Sequence, residues 1–326
     1  MNKTKRRALP AIAAAAALMA MTHMAHATDT IRVMKVVPQA FQLTVVDVGV
    51  EKGIFAKYDL ELDISGAGSG AKLHQALAAD GADIGLGTGP GMGFVAKGAP
   101  EIAIAATHGA PYNLGVVVSK NSPLYPAEMT VDDLKGRKIG VASPSSLTYF
   151  LVRSISVAKG WGPDGITAVP LGRVPAQMAA MKTGNTDGFM NSTDIGYGLE
   201  LRGAGRTLVS AGDYLPNFHA HMIFATNKFR EANPDAVRRF LAAYFETVAL
   251  IKADKQAMVS TGVRVLEVPE AVLSKAYDEQ IKMVQDDGHF DALALEAIAE
   301  GLVATGIADA KPDMTTLYTE EYLPAK

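Results

Sequence analysis

The residues best suited to chemistry in this chain are short polar runs that stand where an apolar run ends and a helical run begins. Ser143-Pro144-Ser145-Ser146-Leu147-Thr148 is the densest of them. Gly66-Ala67-Gly68-Ser69-Gly70, Thr88-Gly89 and Asn191-Ser192-Thr193-Asp194 have the same placement, and Gln39 and Phe41 follow the first apolar run. Free backbone N–H groups at a helix start, with hydroxyls beside them, make a site for an anion or a polar headgroup. Ser145 or Ser146 would also cap a helix whatever the protein bound. The glycine run is not a P-loop, because no Gly-Lys-Ser/Thr follows it. Arg173 occupies a similar position, and its planar donor fork suits carboxylate, sulfonate or phosphate. Phe41, Tyr112 and Tyr149 could supply aromatic walls to a pocket or simply pack under loops.

Among the histidines, His108 ends an apolar run and is the one best placed to touch a ligand. His219-x-His221 has the spacing of two rings on one strand face. No acidic or third histidine partner stands nearby, and zinc sites use three or four protein ligands. No metal and no other cofactor is expected. The chain has no cysteine, which excludes disulfides, thiolate catalysis, Cys-ligated zinc and iron–sulfur clusters. Neither a Gly-x-Ser-x-Gly elbow nor a His-Glu-x-x-His helix occurs, so no residue is assigned as catalytic.

These loops need elements to hold them. Strands are expected at Ile31 to Val37, Leu60 to Ser65, Asp83 to Gly87 and Ile102 to Thr107, with helices at Leu43 to Phe55 (stopping near Gly53), Ser69 to Ala79 and Gly91 to Lys97. After Asp133-Leu134-Lys135-Gly136 the alternation restarts. Strands fall at Lys138 to Ala142, Ile166 to Leu171, Asp187 to Met190 and Thr207 to Val209. The helices between them begin at Ser145 or Ser146, at Pro175 and at Asp194, read as a cap. Beyond His221 to Ala225 the chain turns helical, with Asn233-Pro234 opening a long helix to about Lys252. Such alternation indicates α/β architecture with parallel sheets flanked by helices. An internal echo, Ala76 to Thr88 against Ala180 to Ser192, reads either as two ordinary βαβ units or as two similar domains that face each other.

With 326 residues, 48% hydrophobic and 20% charged, the chain is long enough for about two domains and is not of disordered composition. A net charge of −3 gives no electrostatic footprint for nucleic acid. Lys3, Lys5, Arg6 and Arg7, the apolar run Leu9 to Met21 and Ala25-His26-Ala27 are the three parts of a secretory signal peptide, with cleavage expected after Ala27. The apolar run is shorter than the ~20 residues that span a membrane core. No later stretch reaches that length, so no stable membrane insertion is expected.

The run Glu51-Lys52-Gly53-Ile54-Phe55-Ala56-Lys57-Tyr58-Asp59-Leu60-Glu61-Leu62 resembles a signature of the periplasmic solute-binding proteins that serve nitrate, sulfonate, taurine and thiamin-precursor ABC importers. Ala76 to Gly87, Asp132 to Val141 and Met181 to Met190 agree in order and spacing. The likeness covers most of Ile31 to Phe240. It implies a type II periplasmic-binding-protein fold, two α/β lobes joined by crossover strands, with ligand held between them. The first lobe would comprise Thr28 to Asn113 plus Ile223 to Lys326, and the second about Val118 to His221. The crossovers would be Leu114 to Ser119 and Met222 to Thr226.

Ligands of open parallel sheets bind outside the carboxyl ends of the strands. On that rule the expected contacts are Gln39, Phe41, Gly66, Gly68, Thr88, Gly89, His108 and Tyr112 from one lobe. Ser143, Ser145, Ser146, Thr148, Arg173, Asn191, Ser192 and Asp194 would come from the other. The family resemblance further implies a monomeric, periplasmic partner of an ABC permease that carries a small organic anion. Two alternatives share the scaffold. One is an enzyme like the thiamin-pyrimidine synthases, whose cysteine-rich iron-binding run this chain lacks. The other is a periplasmic sensor that presents ligand to a receptor.

Overall fold

The structure is a computed structural model, which describes residues 28–325. The expected signal peptide lies outside the described residues. Among the described residues ten strands, numbered in chain order, form two five-stranded sheets. The first sheet holds β1 (Asp29–Lys35), β2 (Leu60–Gly66), β3 (Ile84–Thr88), β4 (Glu101–His108) and β10 (His221–Thr226), in the order β2-β1-β3-β10-β4. The second holds β5 (Leu114–Ser119), β6 (Lys138–Val141), β7 (Thr167–Pro170), β8 (Gly188–Ser192) and β9 (Gly205–Ser210), in the order β7-β6-β8-β5-β9. In each sheet the fourth strand is antiparallel to both neighbours, β10 against β3 and β4, β5 against β8 and β9. The remaining pairings are parallel. The same pattern is therefore built twice.

The internal echo occupies equivalent places in the two copies and does the same work in each. Asp83 enters β3 and accepts the backbone N–H of Arg32 at 2.9 Å, while its own N–H donates to the Arg32 carbonyl. Asp187 enters β8 and accepts the N–H of Lys138 at 2.9 Å, again with the reciprocal bond. Each aspartate thus pins the start of the central strand beside it. β3 and β10 are buried along their whole length, as strands covered on both faces must be, and they read as continuous small or apolar runs. The edge strand β2 alternates instead.

Helices cover both faces. They are α1 (Val45–Glu51), α2 (Ile54–Lys57), α3 (Gly70–Ala78), α4 (Met92–Ala96), α5 (Leu147–Ala158), α6 (Val174–Lys182) and α7 (Thr193–Glu200). Then follow α8 (Asn227–Ala232), α9 (Pro234–Ala253), α10 (Lys255–Leu266), α11 (Glu270–Gln280) and α12 (Ala292–Ala304). The helix expected from Leu43 with a stop near Gly53 is α1, which ends at Glu51; Gly53 adopts φ +70 and α2 follows it. Ser192, not Asp194, holds the cap position of α7, and Asp194 lies in its first turn.

Leu114 to Ser119 and Met222 to Thr226, expected as crossovers, are strands inside the sheets. Val116, Val117 and Val118, like Ile223, Phe224 and Ala225, are at most 1% exposed. Such β-forming apolar runs pair on both sides, which a linker has no need to do. The chain passes between the sheets through residues 109–113 and 211–220 instead.

Candidate functional site

The matched strand orders fix how the two sheets meet. β2 and β7 end at one flank, and β4 and β9 lead into the crossovers at the other. At the β2–β7 flank the loops touch. The guanidinium of Arg173, the residue before α6, lies over Gly68, so that a Cβ on Gly68 would stand 3.7 Å from Nε. The Ser145 carbonyl would lie 3.8 Å from a Cβ on Gly70. Gly68 takes φ +86, a conformation glycine adopts without cost. Between this mouth and the crossovers lie the carboxyl ends of the parallel strands of both sheets.

The polar equipment there comes from helix starts. Ser69 caps α3 by accepting the Lys72 N–H. Ser146 caps α5, accepting the Tyr149 N–H at 3.2 Å and donating to the Ser143 carbonyl at 2.7 Å. Thr148 Oγ1 accepts the Ala142 N–H at 3.0 Å. Ser145 sits at φ +63, an uncommon place for a residue with a side chain. The starts of α6 and α7 carry no side-chain cap; Pro175 has no N–H to offer in α6, and the Thr193 N–H of α7 is taken by the Asn113 carbonyl. Asn191 reaches Gln177 across α6 at 3.2 Å, and Gln177 donates to the Gly172 carbonyl at 2.6 Å, holding the loop that carries Arg173. Among the described residues Arg173 has no ion pair. Lys35, the other cation at a strand end, is matched by Asp47 at 2.8 Å.

The structure brings Gly66, Gly68, Ser143, Ser145, Ser146, Thr148, Arg173, Asn191, Ser192 and Asp194 to the facing loop ends. Asp194 is buried and hydrogen-bonded by Ser192, and burial raises its pKa above the ordinary carboxylate range. Gln39 is exposed on the loop after β1. Thr88 and Gly89 are buried at the end of β3, with Gly89 hard against the His219 carbonyl. Three residues stand elsewhere. Phe41 and His108 are 1% exposed and belong to the core beneath the cleft. Tyr112 is 45% exposed and covers Gly212 outside the crossovers.

Asn113 and Thr44 are buried polar groups outside the contacts expected from the sequence. Asn113, in the crossover, is wholly buried and neither amide atom has a protein partner. Its carbonyl accepts the Thr193 N–H at 2.8 Å. Thr44 holds a buried hydroxyl without a partner among the described residues, as does Ser143, which is among the expected contacts. The signal that could have found Asn113 is its place next to Tyr112 in the chain. His219 and His221 turn to different partners. His219 accepts the Asp291 N–H at 2.8 Å, and His221 meets Gln42 and the Gly87 carbonyl. Burial lowers both pKa values to about 4 and pushes His108 down as well, helped by His221 beside it.

On the crossover flank, α7 packs on α11. Tyr197 donates to Glu279, and Lys275 pairs with Glu200 at 3.1 Å while lying 3.9 Å from the Tyr197 ring centre. Burial and Glu279 together raise the Tyr197 pKa. A groove of about 830 Å³ opens beside this contact, lined by Tyr112, Ser210 and Pro216 on one side and by Glu279 and residues 282–287 on the other. Among the described residues no helix is long and apolar enough to cross a membrane.

The family described as NMT1/THI5 like matches residues 40–257. No curated protein matches the sequence. Among solved structures, the alkanesulfonate-binding protein SsuA of Xanthomonas axonopodis pv. citri, bound to MOPS, superposes with TM-score 0.76 at 19% identity, covering 89% of this chain and 98% of that one. The periplasmic aliphatic sulphonate binding protein SsuA of Escherichia coli gives TM-score 0.71 at 18% identity, covering 89% and 92%. The desulfurization enzyme DszB gives 0.62 at 16% identity, covering 90% and 97%. The fold is thus that of the periplasmic binding proteins, and an enzyme shares it.

Proposed function

From the premise that the chain belongs to the NMT1/THI5-like family, we propose that it is the solute-binding component of an ABC importer. It captures a small organic anion, sulfonate- or carboxylate-like, between the two sheets. Residues 28–108 with 221–325 form one lobe and 114–210 the other, and the lobes close about 109–113 and 211–220. The protein acts as a periplasmic monomer and hands the unchanged solute to a permease.

The observation that carries this reading is Arg173, an unpaired guanidinium held over Gly68 of the facing lobe. Along the same facing strand ends lie the Ser143 hydroxyl and, nearer the crossovers, the Asn113 amide, neither with a partner among the described residues. Micromolar capture needs about −8 kcal/mol. Two or three charge-assisted bonds at about 1.5–3 kcal/mol each, with apolar burial, reach that before ordering costs. Both SsuA proteins are sulfonate-binding proteins, which supports an anion here.

The test is the melting shift of the mature protein across a panel of sulfonates, carboxylates and thiamin-precursor pyrimidines. A shift of several degrees for an anion supports the reading. Folded protein that responds to none of them refutes it. Turnover of a bound solute would move the protein to the enzymatic use of the fold that DszB represents.

A further inference from the structure

Three buried polar side chains from distant parts of the chain converge behind the cleft. Gln42 lies in the 3-10 turn after β1, His108 is the last residue of β4, and Gln280 is the last residue of α11. They are 5%, 1% and 3% exposed. All three line one cavity with about 10 Å³ of room for the centre of a water-sized sphere. That is space for one water and nothing larger. The rest of the lining is apolar, including Val45, Met258 and Val284, apart from Tyr277, whose hydroxyl donates to the Ile251 carbonyl at 2.6 Å.

The hydrogen-bond inventory there does not close on the protein alone. Gln42 Nε2 and His221 Nε2 stand 3.2 Å apart, and His221 Nδ1 lies 3.3 Å from the Gly87 carbonyl. A carbonyl can only accept, so Nδ1 carries the ring proton and Nε2 accepts from the Gln42 amide. Gln42 Oε1 is left as an acceptor with no partner. His108 Nδ1 is engaged by Thr107 Oγ1 at 3.1 Å, while its Nε2 has none. Both amide atoms of Gln280 are likewise without partners. Buried groups of this kind are hydrogen-bonded in native proteins, to protein or to ordered water.

We propose that this cavity is a resident water site. One water donates to Gln42 Oε1, accepts from the Gln280 amide and completes its shell at His108 Nε2, the three-bond arrangement typical of buried waters. It ties the turn after β1, the end of β4 and the end of α11 together directly behind the strand ends. The site is independent of which solute the cleft binds.

A high-resolution crystal structure of the mature protein tests it. The expected result is a single density peak within about 2.7–3.2 Å of at least two of the three side chains. An empty cavity overturns the proposal, as do side chains turned to bond one another directly. As a second measurement, Gln280→Met should lose one long-lived internal water by oxygen-17 relaxation dispersion relative to wild type. An unchanged water count would equally overturn it. Should that variant fail to fold, the wild-type density decides.

Discussion

Acid should weaken this fold in a window set by its buried histidines. His219 and His221 are each 3% exposed or less, and burial lowers their pKa values from 6.5 to about 4. The unfolded chain therefore binds their protons more tightly than the native one. Their contribution is fully present above pH 6.5 and is lost as pH falls toward 4, at up to about 1.4 kcal/mol per pH unit for each ring. That is about 1.4 kcal/mol per histidine at pH 5.5 and about 2.5 kcal/mol at pH 4.5. His108 shifts in the same direction. Urea unfolding at pH 7.5, 6.5, 5.5 and 4.5 measures the slope. His221→Gln removes one titrating ring, so its stability should fall less steeply below pH 6.5, by about one proton's worth of slope. Parallel pH profiles for the variant and wild type would refute the reasoning, because they would mean that His221 titrates alike in both states.

Three further changes test the packing and the lobe contact. Gly89→Ala places a Cβ 2.3 Å from the His219 carbonyl and should destabilise by about 1–3 kcal/mol in urea unfolding. Ser146→Ala removes the α5 cap and should lower stability by about 1 kcal/mol. It should also weaken solute binding, since the same hydroxyl holds the Ser143 carbonyl. Tyr197→Phe deletes the bond to Glu279 between α7 and α11. Small-angle scattering of the solute-free variant should show a larger radius of gyration than wild type, with near-native far-ultraviolet circular dichroism.

Much of this architecture was legible because local rules and tertiary needs agree. The strand over Leu60 to Ser65, the caps at Ser69 and Ser146 and the long helix after Asn233-Pro234 follow from alternation, hydroxyl caps and an early proline. Sheet membership was not legible. β5 and β10 are strand-like in composition, yet no local signal says that each inserts antiparallel into the sheet on the far side of a crossover. Side-chain direction at strand ends was equally hidden. Arg173 and Tyr112 both follow apolar runs, but Arg173 meets Gly68 across the cleft while Tyr112 covers Gly212 on the outside. The cluster of Gln42, His108, His221 and Gln280 joins positions far apart in sequence, so only the folded chain reveals it.

The account stands on an anion held at the facing strand ends by Arg173. Calorimetric titration should therefore compare wild type with Arg173→Met, using the panel solute that gives the largest melting shift. Loss of a charge-assisted bond predicts at least about tenfold weaker binding in the variant, with its melting temperature unchanged in the absence of solute. Equal affinity in the two proteins would contradict the account.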